Sequence, residues 1–372
     1  MVSGRRWWRL AAAGAGATTA AAVAAGVVAD RRVVRNRRAG ARGADELGGL
    51  RGEVHAVVAD DGVRLHAEVD EVAPYAGGSR DPGSPTRAVK PSPTDPTIVF
   101  VHGYALSLDC WHFQREYFRG KHRIVLYDQR SHGRSERSDN SHATIDQLGH
   151  DLDAVLRALV PRGPVVLVGH SMGGMSIMAF AEHHRATFDE RVLGVGLVST
   201  TAGGLKTHHL LGRLLPDQVG AQLAPRVVAG LALVPGVVDR VRRRGSNLGF
   251  VMAEQFAFGG EVPSAYVEFV DNMLASTSFE VLAQFFPNFD TLDKFAVLSA
   301  FADVATLILT GTKDVMTSVG LSRRMASLIP TATLVECPGA GHMVILERKD
   351  KVNAALAELV RTSLDRRAER VS

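Results

Sequence analysis

The run Val165-Val166-Leu167-Val168-Gly169-His170-Ser171-Met172-Gly173-Gly174 decides how the rest of the chain is read. Four apolar residues, three of them β-branched, have the look of a strand buried on both faces. Gly-x-Ser-x-Gly follows, and from Met175 to Ala181 apolar residues recur as in a buried helix. The pattern predicts a strand, a sharp turn carrying Ser171, and a helix. The glycines follow from that geometry: a serine lifted out on a strained turn leaves no room for side chains at 169 and 173. Its hydroxyl then stands at a strand end. The amide of Met172, at the helix start, faces the same space and is placed to stabilise an oxyanion. Ser171 is the candidate nucleophile.

Three further segments answer to it. Val99-Phe100-Val101 ends in His102-Gly103-Tyr104, and a loop in that position supplies a second oxyanion amide, here that of Tyr104. His102 is read as a hydrogen-bonding brace of this loop rather than as a base. The acid and base of such a site follow the serine in the order Ser, Asp or Glu, His. After the run Thr306 to Thr310 comes Gly311-Thr312-Lys313-Asp314, and after the run ending at Val335 comes Gly339-Ala340-Gly341-His342. His342 is the candidate base that takes the Ser171 proton. Asp314 is the candidate acid that holds its other nitrogen and stabilises the imidazolium. Asp303 precedes a strand and lies at the wrong sheet end. His183-His184 and His208-His209 are sequence neighbours that do not share a helix face, so the sequence points to no metal site.

The surroundings set the fold class. Glu53–Val58 and Val63–Val69 alternate partially about Asp60-Asp61-Gly62, a hairpin signal. Residues 73–97, rich in Pro, Gly and Ser, read as a long exposed loop. Then short apolar runs at Ile98–Val101, Arg123–Tyr127, Val165–Val168, Leu193–Val198, Thr306–Leu309 and Ala332–Val335 alternate with helical stretches. That is an α/β architecture with a mostly parallel sheet and right-handed crossovers, whose ligand sites lie beyond the carboxyl ends of the strands. Residues 201–300 break the rhythm. They hold helical segments such as Val251 to Phe258 and Ser264 to Leu274, and read as a helical lid inserted over the strand ends. The expected division is residues 1–44 as an anchor and basic linker, 45–200 with 301–372 as the core, and 201–300 as the cap.

The chain has 372 residues, 46% of them hydrophobic and 22% charged, ordinary for a globular protein with a sizeable core. Its net charge of +4 is carried by the arginines of the first segment. The body has no basic surplus, and nucleic acid is excluded as a partner. Cys110 and Cys337, far apart, suggest no disulfide framework. Leu10 to Ala29 is uncharged and long enough to span a bilayer, though alanine and glycine make it weakly hydrophobic. Three arginines precede it and six follow between Arg31 and Arg42, with Trp7 and Trp8 at interfacial positions. The reading favoured is a single-pass membrane anchor with the catalytic domain on the cytoplasmic side. The rivals are a cleaved export signal, with Arg5-Arg6 as a twin-arginine element, and an Ala/Gly-rich tail.

On its Gly-His-Ser-Met-Gly-Gly, His-Gly and Gly-His segments the chain resembles the α/β-hydrolase superfamily over roughly residues 53–365. Asp128-Gln129-Arg130-Ser131-His132-Gly133-Arg134-Ser135 is similar to the segment after that family's fourth strand, where it is structural. The resemblance implies an eight-stranded, mostly parallel sheet, a helical cap after strand 6, no metal and no organic cofactor. It lies nearest to serine esterase, lysophospholipase-like and haloperoxidase-like members, and the N-terminal segment makes the chain similar to membrane-anchored actinobacterial hydrolases. Ser171 argues against members that use aspartate as nucleophile. The expected activity is cleavage of a small-molecule carboxylic ester, lipid-like if the membrane segment bears on it. The alternatives are perhydrolysis, cleavage of a thioester, amide or lactone, and a non-catalytic binding protein of the same fold. Phenylalanines 256, 258, 269, 279, 285, 286 and 289 supply either an acyl pocket or ordinary core.

Overall fold

Each buried run holds two sets of side chains, because successive residues of a strand point to opposite faces. The computed structural model describes residues 46–72, 95–205 and 256–371. In it the runs become strands β1 (Glu53–Val58), β2 (Arg64–Asp70), β3 (Thr97–Val101), β4 (Ile124–Tyr127), β5 (Val165–His170), β6 (Val192–Val198), β7 (Ala305–Gly311) and β8 (Thr333–Cys337). They form one sheet in the order β1-β2-β4-β3-β5-β6-β7-β8. β2 runs antiparallel to β1 and β4. The pairs from β4 through β8 are parallel. The β1–β2 hairpin closes where Ala59 N–H donates to the Val63 carbonyl at 2.9 Å, with Gly62 at φ 89°.

The helices are α1 (His112–Phe118), α2 (Ile145–Leu159), α3 (Met172–His183), α4 (Arg185–Arg191), α5 (Ser264–Ser276), α6 (Phe279–Phe285), α7 (Pro287–Thr291), α8 (Val319–Leu328), α9 (Val344–Glu347) and α10 (Lys349–Val371). Phe100, Leu126, Val168 and Leu307 join Trp111, Phe118, Leu356 and Val360 in one layer, with α1 and α10. Val101, Val125, Leu167 and Ile308 join Leu152, Val155, Phe180 and Phe188 in the other, with α2 and α3. Burying one such side chain stabilises the fold by about 1.5–3 kcal/mol. This two-sided cover is why β3 and β4 are buried at every residue, whereas the edge strand β1 leaves Val54 and Val58 exposed.

Between β6 and β7 the described chain is helical. Val281, Phe285, Phe289 and Leu292 pack on Met172, Met175 and Ala179 of α3 and on Ile145 and Leu148 of α2, so these helices sit on the elbow that follows β5. Arg137 to Glu280, Asn288 to the Ala143 carbonyl, and Lys294 to Asp146 tie them to the core. Ala257 and Phe258 instead join the core layer of α10.

The membrane anchor is a correction. Among the described residues no helix is long and apolar enough to cross a membrane, and Leu10–Ala29 lies outside them. In physical terms the segment had length and freedom from charge in its favour, but alanine and glycine contribute little transfer free energy. The single-pass anchor, its cytoplasmic orientation and the membrane as a partner are therefore withdrawn. The long loop at 73–94 and residues 206–255 of the insertion also lie outside the described residues.

Candidate active site

The strand-to-helix elbow is built by close approach. Ser171 has φ 53° and ψ −120°, a backbone conformation that strains a residue with a side chain. Its N–H donates to the Val198 carbonyl at 3.0 Å, and its carbonyl accepts the Thr200 hydroxyl at 2.6 Å. A Cβ on Gly173 would lie 2.1 Å from the Val101 carbonyl oxygen, so helix α3 abuts β3 only because that atom is missing. The loop after β3 closes over the elbow in the same way. A Cβ on Gly103 would come within 2.9 Å of His170 Nδ1 and 3.1 Å of Ser171 Cβ. Ala105, two residues on, is held at φ 59°. Met172 begins α3, where its amide has no acceptor within the helix.

Asp314 and His342 meet beyond the ends of β7 and β8. His342 Nδ1 lies 2.9 Å from Asp314 Oδ2. A carboxylate only accepts, so Nδ1 carries the proton and Nε2 is left as a base. Asp314 Oδ1 accepts the amides of Met316 and Thr317 at 2.9 and 2.8 Å, and Oδ2 accepts the Thr317 hydroxyl at 2.8 Å. Burial works against the charged form of Asp314. The His342 imidazole beside it and the hydrogen bonds from His342 and Thr317 outweigh that penalty and hold the carboxyl below its usual range. The pair is thus an ionised carboxylate orienting an imidazole.

His170 ties the segment of His342 to the elbow. Its Nε2–H donates to the His342 carbonyl at 3.0 Å, and the two rings lie 4.9 Å apart. Ser171 is the next residue in the chain. Among the described residues no hydrogen bond joins the Ser171 hydroxyl to His342, and such contacts commonly tighten only around substrate. Glu347 braces the segment that carries His342. Its carboxylate accepts the amides of Gly341 at 2.6 Å and Gly259 at 3.1 Å. Neither His170, Thr317 nor Glu347 was singled out from the sequence. Thr317 had a signal, because Asp314-x-x-Thr317 is a turn in which the carboxylate caps its own following amides. The other two contacts depend on register between distant segments.

Other polar residues raised by the sequence have structural work here. His102 Nδ1 donates to the Gly103 carbonyl at 2.7 Å and its Nε2 accepts the Gln129 amide at 2.9 Å, so both nitrogens are spent bracing the loop. Asp128 accepts the amides of Leu108 and Arg134, and its carboxylate fills the space where Gly133 would carry a side chain. Asp146, Glu182 and His183 come together on α2 and α3. The Lys294 ammonium bridges the two carboxylates and offsets part of their negative charge. Of the phenylalanines, Phe285 packs edge-on to His132 and Phe289 edge-on to Tyr104, whereas Phe258 and Phe269 lie in the core.

Comparison with known proteins identifies the fold family. The profile of the alpha/beta hydrolase fold family matches residues 96–349. A non-heme haloperoxidase of Rhodococcus erythropolis is 28% identical over 275 residues, covering 71% of this chain and 91% of that protein. A 3-oxoadipate enol-lactonase of Acinetobacter baylyi is 27% identical over 267 residues, covering 72% and 89%. Among solved structures, a thermophilic esterase from Thermogutta terrifontis superposes with a TM-score of 0.61 at 23% identity, covering 84% of this chain and 99% of that one. At that identity the likeness speaks for the fold.

Proposed function

This chain belongs to the alpha/beta hydrolase fold family, and we propose that it hydrolyses a carboxylic ester through an acyl-enzyme formed on Ser171. The observation that carries the proposal is the Asp314–His342 pair, whose His342 carbonyl is hydrogen-bonded to His170, the residue next to Ser171. In this reading His342 Nε2 takes the Ser171 proton as Oγ attacks the ester carbonyl. The amides of Met172 and Tyr104 hold the oxyanion. His342 then gives the proton to the leaving alcohol. Water, deprotonated by the same nitrogen, attacks the acyl-enzyme and frees the acid and Ser171. Asp314 stays ionised throughout. The described helices α6 and α7, packed on the elbow through Phe285 and Phe289, act as part of the cap.

A lactone is an ester whose leaving group remains tethered, and the likeness to an enol-lactonase makes it the second reading. The test is a p-nitrophenyl ester series from acetate to palmitate. At least one member is expected to be turned over, with Ser171→Ala lowering kcat by about 10⁴-fold or more. Inactivity across the series, with opening of a lactone panel, would transfer the proposal to lactones.

A further inference from the structure

The loop that carries the Tyr104 amide is tied to the cap. The Tyr104 hydroxyl donates to the Leu282 carbonyl at 2.6 Å, across 178 positions of sequence. Leu282 lies in α6, and its carbonyl also accepts the Phe286 amide at 3.1 Å as the helix ends. The Tyr104 ring stands edge-on to Phe289 of α7, with centroids 5.1 Å apart. The backbone beside it is strained. Ala105 sits in the left-handed region at φ 59°, and the turn is closed by Leu106 N–H donating to the Gly103 carbonyl at a long 3.3 Å. A non-glycine residue stays in that conformation only where its surroundings over-determine it. Within the loop the Leu106–Gly103 bond is long and His102 braces the Gly103 carbonyl at 2.7 Å, while the Tyr104 hydroxyl ties the loop outward to the cap.

We propose that the Tyr104 side chain is a positioning element that fixes where the Tyr104 amide points by tying its strained loop to cap helix α6. The inference rests on the oxyanion role given to that amide above. It adds that the aim of the oxyanion donor depends on this one contact with the cap, the Tyr104–Leu282 hydrogen bond. An amide aimed at the developing oxyanion lowers the transition state and not the ground state, so the loss on cutting the tie falls on kcat.

Tyr104→Phe removes only the hydroxyl and keeps the packing on Phe289. With the p-nitrophenyl ester that the wild type turns over fastest, kcat is expected to fall about tenfold and KM to stay within about twofold. The Ki of a trifluoromethyl ketone, whose serine adduct places an alkoxide at the oxyanion position, is expected to rise by the same factor. Arg137→Ala is the control. It breaks the exposed Arg137–Glu280 pair, 3.0 Å long, on the same cap helix without touching the loop, and is expected to leave kcat and Ki unchanged. Tyr104→Phe with wild-type kcat and Ki would overturn the proposal, as would an equal loss in Arg137→Ala, which would assign the effect to cap seating in general. A wild type that turns over no ester and binds no ketone would overturn the hydrolase reading itself, and this inference with it.

Discussion

Asp314 shows how a single residue's chemistry is set by its neighbours. Four hydrogen bonds converge on its two oxygens, and one of them fixes the His342 tautomer. Asp314→Asn keeps the size but supplies a donor where only an acceptor works. The imidazole then turns its lone pair toward residue 314 and its proton toward the serine. We expect kcat on the turned-over ester to fall by about 10³–10⁴-fold with little change in KM. Pre-steady-state kinetics on the purified variant would check it, and a loss below about tenfold would remove Asp314 from the mechanism. Ser171, Asp314 and His342 could be picked out as candidates because each follows an apolar run, in the order Ser, Asp, His. His170 was not, since nothing in Gly-His-Ser says that its ring reaches a carbonyl 172 residues away.

The strands were legible as elements because burial on both faces leaves unbroken apolar runs, and their ends came out within two residues. The insertion was legible only as an interruption. Its helices α6 and α7 are short, and their apolar residues pack on α2 and α3 rather than forming a repeating pattern of their own. The ends of three neighbouring strands, β4, β3 and β5, also collect a set of buried imidazoles with a measurable consequence. Burial pushes His102 and His132 down to about 4, and His170, with His342 beside it, to about 3. In the unfolded chain each titrates near the ordinary 6.5. Between those values the unfolded chain binds more protons, so the stability these histidines contribute is present above pH 6.5 and is lost as pH falls toward 4. Together they contribute a slope of roughly 4 kcal/mol per pH unit in that window. Urea midpoints measured from pH 7 to pH 4.5 should fall accordingly, and His132→Phe should flatten the slope by about one proton. A midpoint independent of pH over that range would contradict the burial of these rings.

At the scale of the whole molecule, fold and family were readable from the sequence because strand order, elbow and loop motifs all point to one architecture. The anchor was misread for a physical reason: length and absence of charge were weighed above the weak hydrophobicity of alanine and glycine. Substrate choice was not legible either, since residues 201–300 carry no motif and a cap sets shape rather than chemistry. The central claim is narrower than the substrate. It holds that Ser171 is an activated nucleophile, with a strained elbow beneath it and a base whose segment is tied to that elbow through His170. A fluorophosphonate probe tests this without knowledge of the natural ester. Intact-mass analysis should find one adduct per chain, peptide mapping should place it on Ser171, and Ser171→Ala should stay unlabelled. Equal labelling of wild type and Ser171→Ala, or an adduct on another residue, would contradict the account.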